Sequence, residues 1–222
     1  LTVKAVVTSA ANSERVGRGI AVGASAPGIV PISNALVRLK IDGSILVAVA
    51  SVEIGQGVQA TMANIAAQSL NQPIESVTVL ATDTATAPFD WGTGASRSTV
   101  IVGLSVEAAA RDAAQQMIEM AADILGMESE KLKLVPGGVS DGLSTFSFET
   151  IFHKAFGVDS GEIIGRGAIT PRSRNGAFAT APLFWETAAG VAEVIVDEDT
   201  GRISLRPQAA RARRRRTERN RF

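Results

Sequence analysis

The stretch Gly92-Thr93-Gly94-Ala95-Ser96-Arg97-Ser98-Thr99 joins a long loop to the longest helical pattern of the chain. Small residues let a backbone approach a ligand closely, and consecutive backbone N–H groups in turn conformation bind anions. The three hydroxyls near its end and the guanidinium of Arg97 add donors that suit phosphate. A helix predicted from Val100 to Leu125 places the stretch at a helix N-terminus, where the macrodipole also favours negative charge. Taken alone, the stretch is equally well explained as a helix cap built from common turn residues.

Around this loop the hydrophobic pattern alternates between strands and helices. The segment Ala35–Ile41 alternates polar and apolar residues, and Asp42-Gly43 then predicts a hairpin turn into a strand over Ile45–Val52. Apolar residues at helical spacing follow from Val58 to Leu70. The remaining predicted elements are a strand over Ser76–Ala81, the helix Val100–Leu125, a strand over Lys131–Val135, a helix over Phe148–Phe156, and strands over Ile163–Ile169, Gly190–Val196 and Ile203–Leu205. This order predicts an α+β fold with mixed sheets and packed helices.

The composition limits the kinds of functional centre that the chain can supply. It holds no cysteine and one histidine, which excludes disulfides and thiolate-bound zinc or iron–sulfur sites, and we predict no metal ligand in the chain. A redox centre therefore has to come from a cofactor or a partner subunit. No apolar run is long enough to cross a bilayer, and the first eleven residues lack the features of a signal peptide. We expect a cytoplasmic protein without membrane contact and, because it begins with leucine, a fragment.

Two isolated polar features have plain structural interpretations. His153 lies in the predicted helix Phe148–Phe156, and we predict a surface or satisfied core residue in preference to a catalytic one. The acidic run Asp197–Asp199 lacks the spaced ligands and closing glutamate of a calcium loop. It therefore predicts a hairpin turn.

The neutral net charge conceals an acidic body and a basic C-terminal segment. Residues 206–222 hold eight of the 22 basic residues and one of the 22 acidic residues, which leaves the first 205 with a net charge of −7. Such a segment usually suggests nucleic acid or another anionic surface. Here the arginines stand in low-complexity sequence without aromatic residues, which is also what GC-rich DNA translated in the wrong frame produces. We predict that 206–222 is a disordered or frameshift-derived tail.

Two motifs together resemble a known family. Val52-Glu53-Ile54-Gly55-Gln56-Gly57-Val58-Gln59-Ala60-Thr61 links a strand to a helix, and Trp91 to Thr99 follows after Asp83-Thr84 and Pro88. This ordered set resembles the molybdopterin-binding subunit of the xanthine dehydrogenase and aldehyde oxidase family of molybdenum hydroxylases. The similarity continues through Phe184-Trp185-Glu186 and 192–201, and it covers about residues 15–205.

The resemblance implies a molybdenum–molybdopterin cofactor, whose own dithiolene sulfurs hold the metal, so that the protein need supply no metal ligand. It implies that cofactor contacts come from Ile54, Gly55, Gln56 and Gly57 and from Thr93, Gly94, Ala95, Ser96, Arg97 and Ser98. In that arrangement Ala95 lies closest to molybdenum. The alternative for Gln56 is an ordinary first-turn helix residue.

The resemblance also implies missing parts. Family members carry an earlier glycine-rich cofactor loop and a later segment with a glutamate base, and this chain contains neither. Glu53 and Glu186 do not match the position of that base, so we assign no catalytic residue. We expect residues 1–205 to form a partial molybdopterin-binding domain that is inactive alone.

The expected partners are the remainder of the molybdopterin subunit, an iron–sulfur subunit, an FAD subunit and a small-molecule substrate. Iron–sulfur and FAD groups are expected only on partner subunits. Two other functions remain open from the residues: a non-enzymatic phosphate- or nucleotide-binding protein, and a nucleic-acid binder that uses its arginine-rich tail.

Overall fold

The computed structural model describes residues 6–9, 13–25, 32–80, 83–170, 185–206 and 211–215. The strands, in chain order, are β1 (Val6–Ser9), β2 (Glu14–Ser25), β3 (Ser33–Lys40), β4 (Ile45–Ala48), β5 (Val77–Val79), β6 (Lys133–Val135), β7 (Gly138–Ser140), β8 (Thr145–Ser147), β9 (Glu162–Ile169), β10 (Trp185–Asp197), β11 (Ile203–Arg206) and β12 (Arg211–Arg215). The α-helices are α1 (Val58–Leu70), α2 (Gly103–Leu125) and α3 (Phe148–Phe156). The chain divides into two compact units, one formed by Gly28–Thr180 and the other by Leu1–Pro27 with Ala181–Phe222. All three α-helices belong to the first of these units.

The unit Gly28–Thr180 is built on a mixed four-stranded sheet in the order β5-β4-β3-β9. Strand β3 pairs antiparallel with β4 and β9, whereas β4 pairs parallel with β5. The parallel pair requires a crossover, which α1 provides between β4 and β5. The predicted α+β class with mixed sheets and packed helices is confirmed.

The core lies between this sheet and the helices α1 and α2. Successive residues of β3 alternate between buried and half-buried positions, so that Ala35, Val37 and Leu39 face the core. From the helices, Met62 and Met117 are fully buried in the same cluster. Each such side chain contributes about 1.5–3 kcal/mol through removal of apolar surface from water.

Two glycines of β9 let α2 lie directly against the sheet. A Cβ added to Gly165 would stand 2.1 Å from the carbonyl oxygen of Ala109, and one added to Gly167 would stand 1.9 Å from that of Ser105. Because real Cβ atoms do not approach a backbone oxygen so closely, only glycine allows this contact. The backbone of α2 is thereby fixed relative to β9 and β3.

The end of this unit carries a three-stranded antiparallel sheet, β6-β7-β8, followed by α3. The Ser147 hydroxyl caps α3 by accepting a hydrogen bond from the Thr150 N–H at 3.1 Å. His153 is exposed on α3, with Nδ1 2.7 Å from Asp159 Oδ1, which agrees with the predicted surface location. No helix within the described residues is both long and apolar enough to span a membrane.

The second unit is a five-stranded antiparallel sheet. Strands β2 and β10 pair along twelve residues, from Glu14 opposite Asp197 to Ser25 opposite Glu186. On its other side β10 pairs with β11 and, over Arg211–Arg215, with β12. The predicted hairpin turn after Asp197 is confirmed, since its carboxylate accepts hydrogen bonds from the Asp199 and Thr200 N–H groups.

The helices agree closely with their predicted bounds, and the strands agree less well. Strand β4 ends at Ala48, so the prediction that it runs to Val52 is wrong; the chain leaves the sheet because Ser51 and Val52 bond to Thr93 instead. The strands β1, β2, β7, β8 and β12 were not predicted. Within the predicted tail, residues 211–215 form β12, while 207–210 and 216–222 lie outside the described residues. The predicted boundary at residue 205 and the origin of the tail stay predictions.

Candidate cofactor-binding loops

The two predicted motifs lie side by side in the unit Gly28–Thr180, because Thr93 joins them. The Thr93 hydroxyl accepts a hydrogen bond from the Val52 N–H at 2.8 Å and lies 3.2 Å from the Val52 carbonyl oxygen. The Ser51 hydroxyl lies 3.2 Å from that of Thr93 and donates to that of Ser98 at 3.3 Å. We call residues 52–57 the first loop and residues 92–98 the second loop. These hydrogen bonds among Ser51, Val52, Thr93 and Ser98, which we call the polar seam, hold the two loops together.

The first loop is shaped by two of its own side chains. The Glu53 carboxylate accepts hydrogen bonds from the N–H groups of Gly55 and Gly57 at 3.0 and 2.9 Å. The Gln56 amide donates to the Val52 carbonyl at 2.8 Å and accepts from the Ile54 N–H at 2.6 Å. The amide of Gln56, which the resemblance assigns to the cofactor, thus also stabilises the loop itself.

The Glu53 carboxyl is exposed, but its hydrogen bonds change its acidity. The Gly57 N–H has the largest effect, and together with the N–H groups of Gln59 and Gly55 it lowers the pKa of this carboxyl below its ordinary value of 4.5. Hydrogen bonds from backbone amides favour the charged form of a carboxylate. The first loop therefore carries a fixed negative charge at the start of α1.

The second loop exposes its tip in a backbone conformation that is uncommon for residues other than glycine. Ala95 and Ser96 have φ angles of 49° and 50°, and both are exposed along with Gly94. The Arg97 N–H closes the turn by donating to the Gly94 carbonyl at 3.1 Å. Directly afterwards the chain enters a π-helical turn, Ser98–Val102, that continues into α2. The predicted position of this loop at a helix start is confirmed.

Arg97 points inward, contrary to the expectation that its guanidinium faces an anion. Its side chain is fully buried, as is that of Asp90, and the guanidinium donates to Asp90 Oδ1 at 2.5 Å. It also donates to the carbonyl of Gly92 at 2.7 Å and to that of Ile32, and it lies over the ring of Trp91 at 5.9 Å from the centroid. The Arg97 side chain therefore holds the second loop from beneath.

Further bonds attach the residues that precede the second loop to the start of β3. The Asp90 Oδ1 atom also accepts a hydrogen bond from the Gly92 N–H at 2.7 Å, and Asp90 forms a β-bridge with Ser33. The Asn34 amide donates to the Phe89 carbonyl at 2.8 Å. The tip of the second loop is thus supported by β3, Asp90 and Arg97.

Apolar side chains stand exposed around both loops. Ile54 is 72% exposed, and Phe89 is 64% exposed; Val52 and Trp91 are each about half exposed, at 48% and 49%. A Cβ added to Gly55, Gly57 or Gly94 would meet no atom within 4 Å. Open glycine backbone beside exposed apolar and aromatic side chains suits a flat heterocyclic group with polar edges.

Two cavities of the unit Gly28–Thr180 lie away from the two loops. A cavity of about 850 Å³ lies beside Met127, Lys131 and Leu143, and one of about 360 Å³ lies beside Asp42 and Glu162. Neither of these two cavities is lined by residues of the two loops.

Sequence reasoning overlooked Asp90 and the capping role of Glu53. Glu53 stands four residues before Gly57, the residue at the N-cap position, where a capping side chain is not ordinarily sought. Asp90 lies in a loop, and only its complete burial beside Arg97 reveals its function.

Comparison with known proteins identifies the sequence family. Residues 3–209 match the model of the molybdopterin cofactor-binding domain. The chain is 30% identical over 194 residues to the probable hypoxanthine oxidase XdhD of Escherichia coli, covering 86% of this chain and 19% of that protein. It is 32% identical over 120 residues to the carbon monoxide dehydrogenase large chain of Hydrogenophaga pseudoflava, covering 54% of this chain and 15% of that protein.

A solved structure shares the fold. The reconstituted CO dehydrogenase from Oligotropha carboxidovorans superposes with a TM-score of 0.70 at 22% identity, covering 88% of this chain and 25% of that one. The chain spans 19% and 15% of the lengths of the two curated relatives named above.

Proposed function

The chain belongs to the molybdopterin cofactor-binding domain family of the xanthine dehydrogenase, CO dehydrogenase and aldehyde oxidoreductase group, and on that premise we propose that its two loops form one wall of the cleft that holds a molybdenum–molybdopterin cofactor. The observation that carries this proposal is the set of hydrogen bonds through Thr93, which brings the two motifs together. When bound, this cofactor supplies the redox chemistry for oxidative hydroxylation of a heteroaromatic or aldehyde carbon, with water as the source of oxygen.

The residues of the wall fit the chemistry of such a cofactor. A pterin has polar edges and flat faces, and the exposed backbone of Gly55, Gly57 and Gly94 provides close approach without side-chain obstruction. The hydroxyls of Ser96 and Ser98 stand at the start of a helix, where backbone donors and the macrodipole favour a phosphate. The exposed Ile54 side chain offers an apolar surface in the first loop.

The role of these residues is to bind and orient. Ala95, with its small side chain at the exposed tip of the second loop, would leave space for the metal of a bound cofactor. Arg97 and Asp90 contribute indirectly, by fixing the loop from beneath. The glutamate that serves as base in the family belongs to a segment outside this chain, so we expect the 222-residue chain to be inactive alone.

The proposal includes partners. We propose that the remainder of the molybdopterin subunit supplies the opposite wall and the base, and that electrons leave through iron–sulfur and FAD subunits. One matched relative is named the large chain of a carbon monoxide dehydrogenase, which supports a place in a multi-subunit complex. The substrate of the complex is a small molecule that enters between the two walls.

The experiment that tests the proposal breaks the seam between the loops. Thr93→Val removes the hydroxyl that bonds to Val52 and replaces it with a methyl group of similar size. The chain is co-expressed with its partner subunits and purified, and its molybdenum and pterin content is measured. We expect the variant to retain less cofactor than the unmodified chain, by about fivefold or more, since each lost hydrogen bond contributes about 0.5–1.5 kcal/mol.

Thr150→Val is the matched control, because the hydroxyl of Thr150 also bonds locally, to Ser147, but lies in α3. Equal cofactor retention by both variants would contradict a role of the seam. A bound nucleotide without molybdenum would favour a non-enzymatic nucleotide-binding protein instead.

A further inference from the structure

We propose that Glu53 is a positioning residue whose carboxylate closes the start of α1 to outside anions and fixes the shape of the first loop. The proposal rests on the proposed function and specifies it, since it determines which groups of the first loop are available to the cofactor. The sequence alone assigns Glu53 no role beyond its place before the turn Gly55-Gln56-Gly57.

The contacts of the carboxylate converge on the backbone donors at the helix start. One oxygen accepts hydrogen bonds from the N–H groups of Gly55 and Gly57 at 3.0 and 2.9 Å, and the other accepts from the Gln59 N–H at 3.3 Å. Gly57 at the N-cap position and Gln59 in the first turn belong to the donors through which an unoccupied helix start binds phosphate or sulfate. Glu53 stands in the position that such an anion would take.

The helix has no other group for this task among its described neighbours. Gly57 at the N-cap position has no side chain, and the first turn of α1 contains no acidic residue. The third helix shows the alternative solution, because Ser147 caps α3 and Glu149 lies in its first turn. In α1 a single glutamate, placed before the turn, provides both the capping oxygen and the negative charge.

The Glu53 carboxylate weakens anion binding at the start of α1 in two ways, through its covalent attachment to the loop and through its negative charge. An external anion at the start of α1 has to displace a carboxylate that is tethered two residues from Gly55, and it meets the repulsion of that charge if the carboxylate stays. The first loop therefore presents its glycine backbone and the Ile54 side chain to the cofactor, and it does not present the donors of α1. The anionic end of the cofactor is directed away from this helix start.

The experiment measures anion binding at single amides. Inorganic pyrophosphate is titrated into the isotope-labelled 222-residue chain, and the amide NMR signals of Gly55, Gly57 and Gln59 are followed. The titration is repeated with Glu53→Ala, which removes the carboxylate, and with Glu53→Gln, which keeps its shape without its charge. Because Glu53 is exposed, all variants are expected to keep the fold, which circular dichroism checks.

In Glu53→Ala the three amides are expected to respond with a midpoint about threefold to thirtyfold lower than in the unmodified chain, which corresponds to the usual effect of a charge at a helix N-terminus. Glu53→Gln is expected to lie between the two. The control Glu149→Ala also removes one exposed negative charge at a helix start, and it should leave the midpoint unchanged. Equal midpoints in the unmodified chain and Glu53→Ala, or amides that respond in neither, would overturn the proposal.

This outcome is independent of molybdenum binding. Cofactor content of the co-expressed complex tests the proposed function, whereas the pyrophosphate titration tests only whether Glu53 closes the start of α1. An unmodified chain that binds the molybdenum cofactor and takes pyrophosphate at Gly57 with the same midpoint as Glu53→Ala would refute the role of Glu53 alone.

Discussion

The buried pair of Asp90 and Arg97 gives the sharpest test of how the second loop is held. Both side chains are fully buried, and their charged atoms lie 2.5 Å apart. Asp90→Asn removes one charge while keeping the shape, and Arg97→Met removes the other while filling most of the space. Each change removes the opposite charge from the ion pair while the other charge stays buried.

The expected magnitude follows from burial and from the backbone that the pair supports. Removing one member of a buried ion pair costs about 3–5 kcal/mol of unfolding free energy, because the remaining charge is no longer compensated. Arg97 also donates to the carbonyl oxygens of Gly92 and Ile32, which lose a partner in Arg97→Met. The left-handed conformation of Ala95 and Ser96 costs about 1–2 kcal/mol per residue, and the pair helps to offset that cost.

The assay is urea unfolding followed by the fluorescence of Trp91, whose ring lies over Arg97. The chain has two tryptophans, so a Trp185→Phe background isolates the signal. We expect each single variant to lose about 3–5 kcal/mol and the double variant to lose about 1–3 kcal/mol less than the sum. The control Arg111→Ala breaks a pair with Glu107 in which the arginine is 72% exposed, and it should change stability by at most about 0.5 kcal/mol.

Two results would refute the reasoning. Single variants that lose less than about 1 kcal/mol would show that the pair does not hold the loop, since a buried uncompensated charge costs more than that. An additive double variant would show that the two side chains act independently. Either result would remove the physical basis for the role that we give to Arg97.

Two further predictions concern packing and pH. Gly167→Ala should lower the free energy of unfolding in chemical denaturation by about 1–3 kcal/mol, because its Cβ would stand 1.9 Å from the carbonyl oxygen of Ser105. The control is Gly190→Ala, whose Cβ would meet no described atom within 4 Å, and it should change the free energy of unfolding by less than about 1 kcal/mol. The lowered pKa of Glu53 means that its stabilising effect is present above its ordinary pKa of 4.5 and is lost as the pH falls through the lower folded value. As the pH falls below 4.5, the free energy of unfolding should therefore decrease less in Glu53→Gln than in the unmodified chain. The same decrease in both proteins would contradict the hydrogen bond from the Gly57 N–H to Glu53.

The helices could be predicted from sequence because their signals are local. The apolar period of α1 and α3 defines their bounds, and the glycines at 126 and 157, both with positive φ, end α2 and α3. Strand β2 was missed because three of its twelve residues are glycine, which weakens any strand pattern. Its identity depends on pairing with β10, more than 160 residues away, and that contact is invisible in a local pattern.

The candidate site was predictable as a set of residues and less so as a set of roles. The resemblance to a family drew attention to both loops, and the fold brings them together through Thr93. Residue type alone suggested that Arg97 faces an anion, whereas its direction is decided by Asp90 and the carbonyls around it. The capping role of Glu53 likewise depends on the turn at Gly55 and Gly57, whose backbone conformation no side-chain pattern specifies.

The most direct test of the central claim is the molybdenum and pterin content of the chain purified after co-expression with the subunits that complete the complex. We predict one molybdenum and one molybdopterin for each copy of the chain, with the amounts of both reduced together by Thr93→Val and unchanged by Thr150→Val. A folded complex that contains the chain but neither molybdenum nor pterin would contradict the account.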